Sequence, residues 1–166
     1  MSFELIEKPK PAERPLKILE QAASALDMEF ERVADNELHL MLPSVWRDIG
    51  IWFTWREELS TLQMGVPIDL KAPSGRCDEA ARLVTMVNER LWVGHFDLWT
   101  EDNAIVYRNS AILSEAGLDV EQAVHLIRAA GEAVDRFYPA FNFLVWGGKK
   151  PDEAFAASLF ETAGNA

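Results

Sequence analysis

The sequence predicts a single α+β domain in which helices pack on one face of an antiparallel β-sheet. The chain has 166 residues, about the length of one domain, and 49% of them are apolar, which is enough to fill a core. Four segments between residues 28 and 70 alternate apolar and polar residues at the period of a strand, with short connections. Other segments carry apolar residues at helical spacing, so the predicted element order is αββββαββαα.

The first half of the chain is expected to hold one helix and four strands. Residues 1–14 mix charges with two prolines, so we expect a flexible N-terminal arm ahead of one domain at 15–166. Pro15 fits the first turn of a helix, which should end near Asp27. Alternating segments then predict strands at 28–31, 38–42, 49–55 and 61–70. Pro67 has no N–H to donate to a neighbouring strand, which favours an edge position or a bulge.

The second half is expected to hold three helices and two strands. The pattern predicts a helix at 78–92, strands at 95–100 and 104–112, and a last short helix from Pro151. Asp119 and Gln122 have the spacing of a capping box that opens a long helix. Pro139 should kink or break that helix, because proline lacks an N–H donor and its ring clashes with the preceding turn.

The charge balance argues against two classes of partner. The chain has 16 basic and 27 acidic residues, for a net charge of −11. Such a surface repels the phosphates of nucleic acids and of anionic lipids, so neither nucleic acid nor membrane is expected as a partner. The N-terminus lacks the pattern of a secretory signal, and the single cysteine, Cys77, fits a reducing compartment. A cytoplasmic location is therefore expected.

No residue pattern indicates an active site. The three histidines stand far apart and lack metal-ligand spacing: His39, His95 and His125. The acidic residues that follow Cys77 oppose its activation as a nucleophile. A phosphate-binding loop is excluded at Gly147-Gly148-Lys149-Lys150, because the upstream glycine and the following Ser or Thr are missing. We therefore expect no catalytic residue, no metal and no cofactor.

Tryptophan is unusually abundant, with six in the chain. Trp is enriched at protein interfaces because it buries a large rigid area and keeps one hydrogen-bond donor. Trp also fills cores, and a core position is expected for Trp55, Trp92 and Trp146.

Two other tryptophans are expected on the polar face of the sheet. Trp52 shares a strand face with Thr54, and Trp99 shares one with His95 and Asp97. Helices should cover the opposite, apolar face. These five residues therefore form the candidate protein-contact surface.

Three stretches of the sequence carry a family resemblance. They read FTWREE at 53–58, NERLWVGHFDLW at 88–99, and FYPAF, VWGGK and PDEA between 137 and 154. These segments resemble the YbjN family of proposed bacterial sensory-transduction regulators, over roughly residues 16–163. The resemblance implies a fold like that of type III secretion chaperones, with helices against one face of a twisted antiparallel sheet, often in a dimer. It implies no catalytic residues.

The sequence supports three functional hypotheses. The first is a non-catalytic protein-binding module, chaperone-like or regulatory, whose partner is another protein or a second copy in a homodimer. The alternative is a small-ligand binder or enzyme with a site between the sheet and the long helix, which a deep pocket with converging polar groups would favour. DNA binding as a transcription regulator is the third, and a concentrated basic face would favour it.

Overall fold

A computed structural model describes residues 15–163 of the chain, with the side chains of residues 15–160. The arm expected at 1–14 lies outside the described residues, as do the last three residues of the expected domain. The elements are α1 (Pro15–Ala25), β1 (Phe30–Ala34), β2 (Glu37–Leu42), β3 (Ile49–Arg56), β4 (Thr61–Lys71), α2 (Cys77–Asn88), β5 (His95–Leu98), β6 (Ala104–Ile112), α3 (Val120–Val145) and α4 (Pro151–Ala163). The predicted order αββββαββαα is confirmed.

The sheet has six strands in the order β1-β2-β3-β4-β6-β5, and every neighbouring pair is antiparallel. Alternation along each strand sends side chains to two different faces. The inner face is buried and almost wholly apolar. From β2 to β6 it includes Leu38, Leu40, Ile51, Phe53, Leu62, Met64, Val66, Phe96, Ile105 and Tyr107. The other face is called the outer face below.

All four helices bury side chains in the same hydrophobic cluster as the inner face. Helix α1 lies against β2 and β3, α3 lies against β4 and β6, and α2 lies beside β5, while α4 packs on α2 and α3. The ring centroid of Phe96 lies 6.4 Å from that of Phe137 and 5.0 Å from that of Phe141. Among the described residues, no helix has the length and apolarity needed to cross a membrane. This arrangement leaves the outer face without a covering helix from the described part of the chain.

Helix α3 begins as the sequence predicts. Asp119 Oδ1 accepts the N–H of Gln122 at 2.8 Å, and the Gln122 side chain accepts the N–H of Asp119 at 3.0 Å. These two bonds satisfy backbone donors that the first turn of a helix leaves unpaired. The predicted capping box is confirmed.

Pro139 lies inside α3 without ending it, so the expectation of a break is wrong. Pro139 has no N–H to donate to the carbonyl of Asp135, four residues earlier. That carbonyl instead accepts the indole N–H of Trp46 at 3.0 Å, and the Trp46 ring stacks on Tyr138. The Asp135 carboxylate also accepts the hydroxyl of Ser44 at 2.6 Å. The loop between β2 and β3 thus supplies a bond that the proline removes.

Pro67 lies at a bulge in a central strand. Strand β4 pairs with β3 on one side and β6 on the other, so the edge alternative is wrong. The register with β6 shifts between Pro67 and Lys71, which confirms the bulge alternative. The ladder with β3 already ends at the pair of Trp52 and Gly65. The missing N–H of the proline therefore falls beyond that ladder.

Two of the three tryptophans expected in the core lie in solvent instead. Trp92 is fully exposed and the exposed fraction of Trp146 is 78%, whereas Trp55 packs against the core as expected. Helix α2 ends at Asn88, four residues before the predicted end, so Trp92 falls in the following turn. Trp146 is the cap residue directly after Val145, the last residue of α3. At both places the backbone leaves the helix, and helical spacing no longer directs the side chain inward.

Side chains, rather than a further strand, occupy the edge of β5. Asn88 Nδ2 donates to the carbonyl of Phe96 at 2.9 Å, and Asn88 Oδ1 accepts the N–H of Phe96 at 2.7 Å. Nearby, the hydroxyl of Tyr107 donates to the carbonyl of Val93 at 3.0 Å. Gly94 turns the chain there with a φ of 69°, and an added Cβ would overlap the Tyr107 ring. The backbone of Phe96 is therefore already paired at this edge.

Candidate functional site: the outer face of the sheet

The strand register fixes which side chains are neighbours on the outer face. Six residues form one row from edge to edge: Glu31, His39, Trp52, Gly65, Arg108 and His95. Cross-strand neighbours in such a row have Cβ atoms about 4.5–5.5 Å apart. An aromatic ring at the centre of the row can therefore cover its neighbour on the next strand.

Trp52 lies at the centre of this row. Its indole ring lies over Gly65 of β4, where an added Cβ would overlap the ring. Gly65 is buried beneath the ring, and Trp52 itself is half-buried. Thr54, the next outer-face residue of β3, is also half-buried and lies opposite Gln63. The packing on Gly65 holds a flat aromatic surface in one position, which lowers the entropy cost of a contact there.

Three charged or polar side chains connect β5 to β6 on the same face. Arg108 Nη1 donates to Oδ2 of Asp97 at 2.9 Å, and Nε2 of His95 lies 3.4 Å from the same oxygen. The Nε of Arg108 is buried without a partner among the described residues. Because the Arg108 and Asp97 side chains remain about a third exposed, the pair contributes at most about 1 kcal/mol to stability. The pair fixes the Asp97 carboxylate beside Arg108.

Trp99 lies just beyond the end of β5 and has an exposed fraction of 38%. The backbone N–H of Trp99 donates to the carbonyl of Ala104 at 2.8 Å. The alternation of side chains between the two sheet faces therefore continues to this residue. Close by on β6, Val106 is buried although it does not belong to the core cluster. Outer-face side chains therefore shield some apolar surface of their own.

The five predicted contact residues all lie on the outer face, but in two separate groups. His95 and Asp97 lie together beside Arg108, with Trp99 further along β5. Trp52 and Thr54 lie together on β3, which is three strands away in the order β3-β4-β6-β5. At about 4.8 Å per strand, the groups are about 14 Å apart. Any partner that contacts both groups must span that distance.

A groove of about 560 Å³ crosses the outer face from β1 to β4. This outer groove is lined by Glu29, Phe30, Glu31, His39, Leu40, Met41, Gly50, Ile51, Trp52 and Pro67. Met41 has an exposed fraction of 45%, and a Cβ added at Gly50 would meet no atom within 4 Å. Sequence reasoning missed all of these except Trp52. Alternation indicates the face of each residue, but the register that brings them together was not readable from one sequence.

The titratable side chains of the described residues provide no metal site. No group of three or more His, Cys, Asp or Glu among them could hold a metal ion. A hydrogen bond from Lys71 lowers the pKa of the exposed Asp102 carboxyl below its usual value, in a surface ion pair. Burial raises the pKa of Tyr107 to about 12, on the inner face. Both shifts have structural causes and neither residue faces the outer groove.

Comparison with known proteins agrees with the fold. The model of the YbjN family, described as "Putative bacterial sensory transduction regulator", matches residues 15–143. The crystal structure of E. coli YbjN, described as a putative transcription regulator, superposes with a TM-score of 0.54 at 18% sequence identity. That match covers 74% of this chain and 87% of the E. coli chain. No curated protein matches the sequence. With its family model matched over most of its length, the chain belongs to the YbjN family.

Proposed function

We propose that this protein is a non-catalytic regulatory module that binds another polypeptide through the outer face of its sheet. The observation that carries the proposal is Trp52, which is held over Gly65 on a sheet face that no described helix covers. Fixed, half-exposed aromatic side chains are typical centres of protein interfaces. The regulator descriptions of the family and of E. coli YbjN support a regulatory role.

The placement of charge supports a protein partner over nucleic acid. Many basic side chains of the described residues already pair with carboxylates: Arg32, Arg47, Arg56, Lys71, Arg76, Arg82 and Arg108. Others lie over aromatic rings, as Arg90 does over Phe155. DNA binding at physiological salt needs several cations on one face that are free to meet phosphates. Cations that are paired within the protein do not provide such a face.

The test is affinity capture from a lysate of the native cell with three forms of the full chain. The wild type is compared with a Trp52→Ala, Trp99→Ala double variant and with a Trp92→Ala, Trp146→Ala double variant. Both variants remove two tryptophans, but Trp92 and Trp146 are exposed and belong to no strand of the sheet. Circular dichroism confirms that each variant is folded.

A partner that only the first double variant loses supports the proposal. A partner that the Trp92→Ala, Trp146→Ala variant loses and the first variant keeps places the contact elsewhere and contradicts the proposal. Hydrogen exchange of the complex gives an independent readout. The amides of β3 and β5 should gain protection when the partner binds.

A second groove favours the alternative, a small-ligand or enzyme site between the sheet and α3. It has a volume of about 610 Å³ at the end of β6, and its walls include Ile112, Leu118, Gln122, His125, Leu126, Arg128 and Ala129. Deeper between sheet and helix, Leu126 packs close to Phe53 and Leu62 and leaves no room for a ligand. A small molecule that raises the Tm of the wild type, but not that of an Ala129→Phe variant, would favour this alternative.

The homodimer expected from the family resemblance is part of the proposal. Ile112 has an exposed fraction of 84%, and Val93, which lines the second groove with it, has one of 48%. Exposed apolar side chains near one another suit an interface with a second copy. A strict monomer in light scattering at micromolar concentration contradicts the dimer.

A further inference from the structure

We propose that the outer groove binds a basic segment of the partner polypeptide. In this contact, the stem of a lysine or arginine side chain packs on Met41 and Trp52, and its charged head pairs with Glu29 and Glu31. The inference rests on the proposed function and names the partner chemistry of the same face. A neutral or acidic partner segment is the competing outcome.

The rim of the outer groove is acidic and uncompensated. Glu29 and Glu31 both alternate onto the outer face at the β1 edge, and both are exposed. Glu31 lies opposite His39, while the carbonyl of Glu29 accepts the N–H of Met41 at 2.9 Å, so the register of both is fixed. Neither carboxylate forms an ion pair with another described residue, in contrast to Glu37, which lies 2.7 Å from Nε2 of His39.

The two arginines nearest to the outer groove already form ion pairs with other carboxylates of the chain. Arg32 lies opposite Leu38, on the side of β1 away from the outer groove, and donates through Nε and Nη2 to Oε1 of Glu20 at 2.8 and 2.6 Å. Arg47 donates to Asp69, beyond the Pro67 end of the groove. Two negative charges at the rim therefore remain available to a cation from outside the chain.

The floor of the outer groove suits the stem of a long basic side chain. Met41, Trp52 and Pro67 present apolar atoms, and Gly50 leaves the space between them open. Lysine and arginine bury their methylene stems on such surfaces while the charged head stays in water. The face of an indole also attracts a cation. Two neighbouring carboxylates match the several donors of a guanidinium.

The net charge of the chain adds attraction but not selectivity. At −11, the whole protein attracts cationic peptides and increases their association rate. A selective site must therefore show more than this general attraction. The experiment compares the loss of rim charges with the loss of the same number of charges elsewhere.

The test measures fluorescence anisotropy of a labelled peptide of alternating arginine and leucine, titrated with the full chain. A peptide with glutamate in place of arginine is the control ligand. Glu29→Gln with Glu31→Gln should weaken binding of the basic peptide about tenfold, because two charge-assisted contacts are lost. The matched variant Glu57→Gln with Glu115→Gln removes two exposed carboxylates from the other end of the sheet and should weaken it less than about twofold.

A third variant tests the groove itself. Gly50→Leu places a side chain on the open floor, where an added Cβ meets no atom within 4 Å, and leaves every charge in place. It should abolish binding of the basic peptide while Tm stays within a few degrees of the wild type. Gly50→Ala is the smaller version if the leucine variant fails to fold.

The inference is overturned if both charge variants weaken binding equally, if Gly50→Leu binds as the wild type does, or if the control peptide binds as tightly as the basic one. These outcomes leave the proposed function intact as long as the capture experiment shows a partner that depends on Trp52 and Trp99. Conversely, a partner that the Trp52→Ala, Trp99→Ala variant still captures contradicts the proposed function, whatever the affinity for the peptide.

Discussion

The two edges of the sheet are stabilised in different ways. At the β5 edge, the amide of Asn88 pairs with both backbone groups of Phe96, whose side chain is fully buried. At the β1 edge, every residue from Phe30 to Ala34 is exposed, and the contact that joins the strand to α1 is the ion pair of Arg32 and Glu20. Besides its backbone pairing, one edge is held by partly buried hydrogen bonds and the other by an exposed ion pair.

Because of this difference, the side-chain contacts at the β5 edge should contribute more to stability than those at the β1 edge. A buried donor or acceptor that loses its partner costs about 1–3 kcal/mol, whereas an exposed ion pair contributes about 0–1 kcal/mol. Loss of the Asn88 bonds at the β5 edge should therefore cost much more than loss of the Arg32–Glu20 ion pair at the β1 edge. The outer groove lies at the β1 edge, where the side chains of the strand are exposed.

The largest expected effect follows from removing the amide at the β5 edge. Asn88→Ala removes the side-chain partner of the N–H and C=O of Phe96 in a partly buried site. We expect a loss of about 2–4 kcal/mol in the free energy of unfolding, measured by urea denaturation, although alanine favours the helix more than asparagine does. The amide of Phe96 should also exchange with solvent faster.

The matched control for this variant is Glu89→Ala. Glu89 is the next residue of the chain, is exposed, and carries no side-chain contact to β5 among the described residues. Its replacement should change stability by less than about 0.5 kcal/mol. A loss of similar size in both variants would mean that the end of α2, and not the amide bridge, stabilises this edge.

A smaller effect is expected at high pH near the same edge. Burial raises the pKa of Tyr107 from its ordinary value of 10 to about 12, because the ionised phenolate is disfavoured away from water. The unfolded chain ionises this group near pH 10. The stability it contributes is therefore fully present below pH 10 and is lost as the pH rises through about 12, by about 2–3 kcal/mol in total.

The check is urea denaturation of wild type and Tyr107→Phe between pH 8 and 12. The variant loses the bond to the Val93 carbonyl at every pH, but it should show a shallower decline above pH 10. The chain has two tyrosines, so absorbance at 295 nm should show one titration step fewer in the variant. Parallel stability curves for the two proteins would contradict the assignment to Tyr107.

The smallest effect is expected at the β1 edge. Arg32→Ala removes the bonds to Glu20, and both side chains are about a third exposed or less. We expect a loss below about 1 kcal/mol that decreases further with added salt. A double-mutant cycle with Glu20→Ala isolates the pair. A coupling as large as the Asn88→Ala effect would show that the β1 edge is as firmly held as the β5 edge.

The order and type of the elements could be predicted because local patterns determine them. Alternation identified the strands, and the spacing of Asp119 and Gln122 identified the start of α3. The places where prediction failed are those where a distant partner decides. Pro139 stays within α3 because Trp46, more than ninety residues away, bonds the carbonyl that it frees. A local rule for proline cannot include that bond.

The candidate site was predictable in part for the same reason. Alternation correctly placed Trp52, Thr54, His95, Asp97 and Trp99 on the outer face, but it carried no information on their distances. Whether Met41 and Gly50 lie beside Trp52 depends on the pairing of β2, β3 and β4. Glycine in particular gives no positive signal in a hydropathy pattern, although Gly65 supports the Trp52 ring and Gly50 opens the groove.

The bond between Trp46 and the Asp135 carbonyl ties two distant positions of the sequence to each other. Without Trp46, Pro139 would leave that carbonyl without a donor from the chain, and without Pro139 the carbonyl could accept the usual helical bond and compete for the indole N–H. In related sequences we therefore expect position 139 to keep its proline where position 46 keeps a donor, and both to change together.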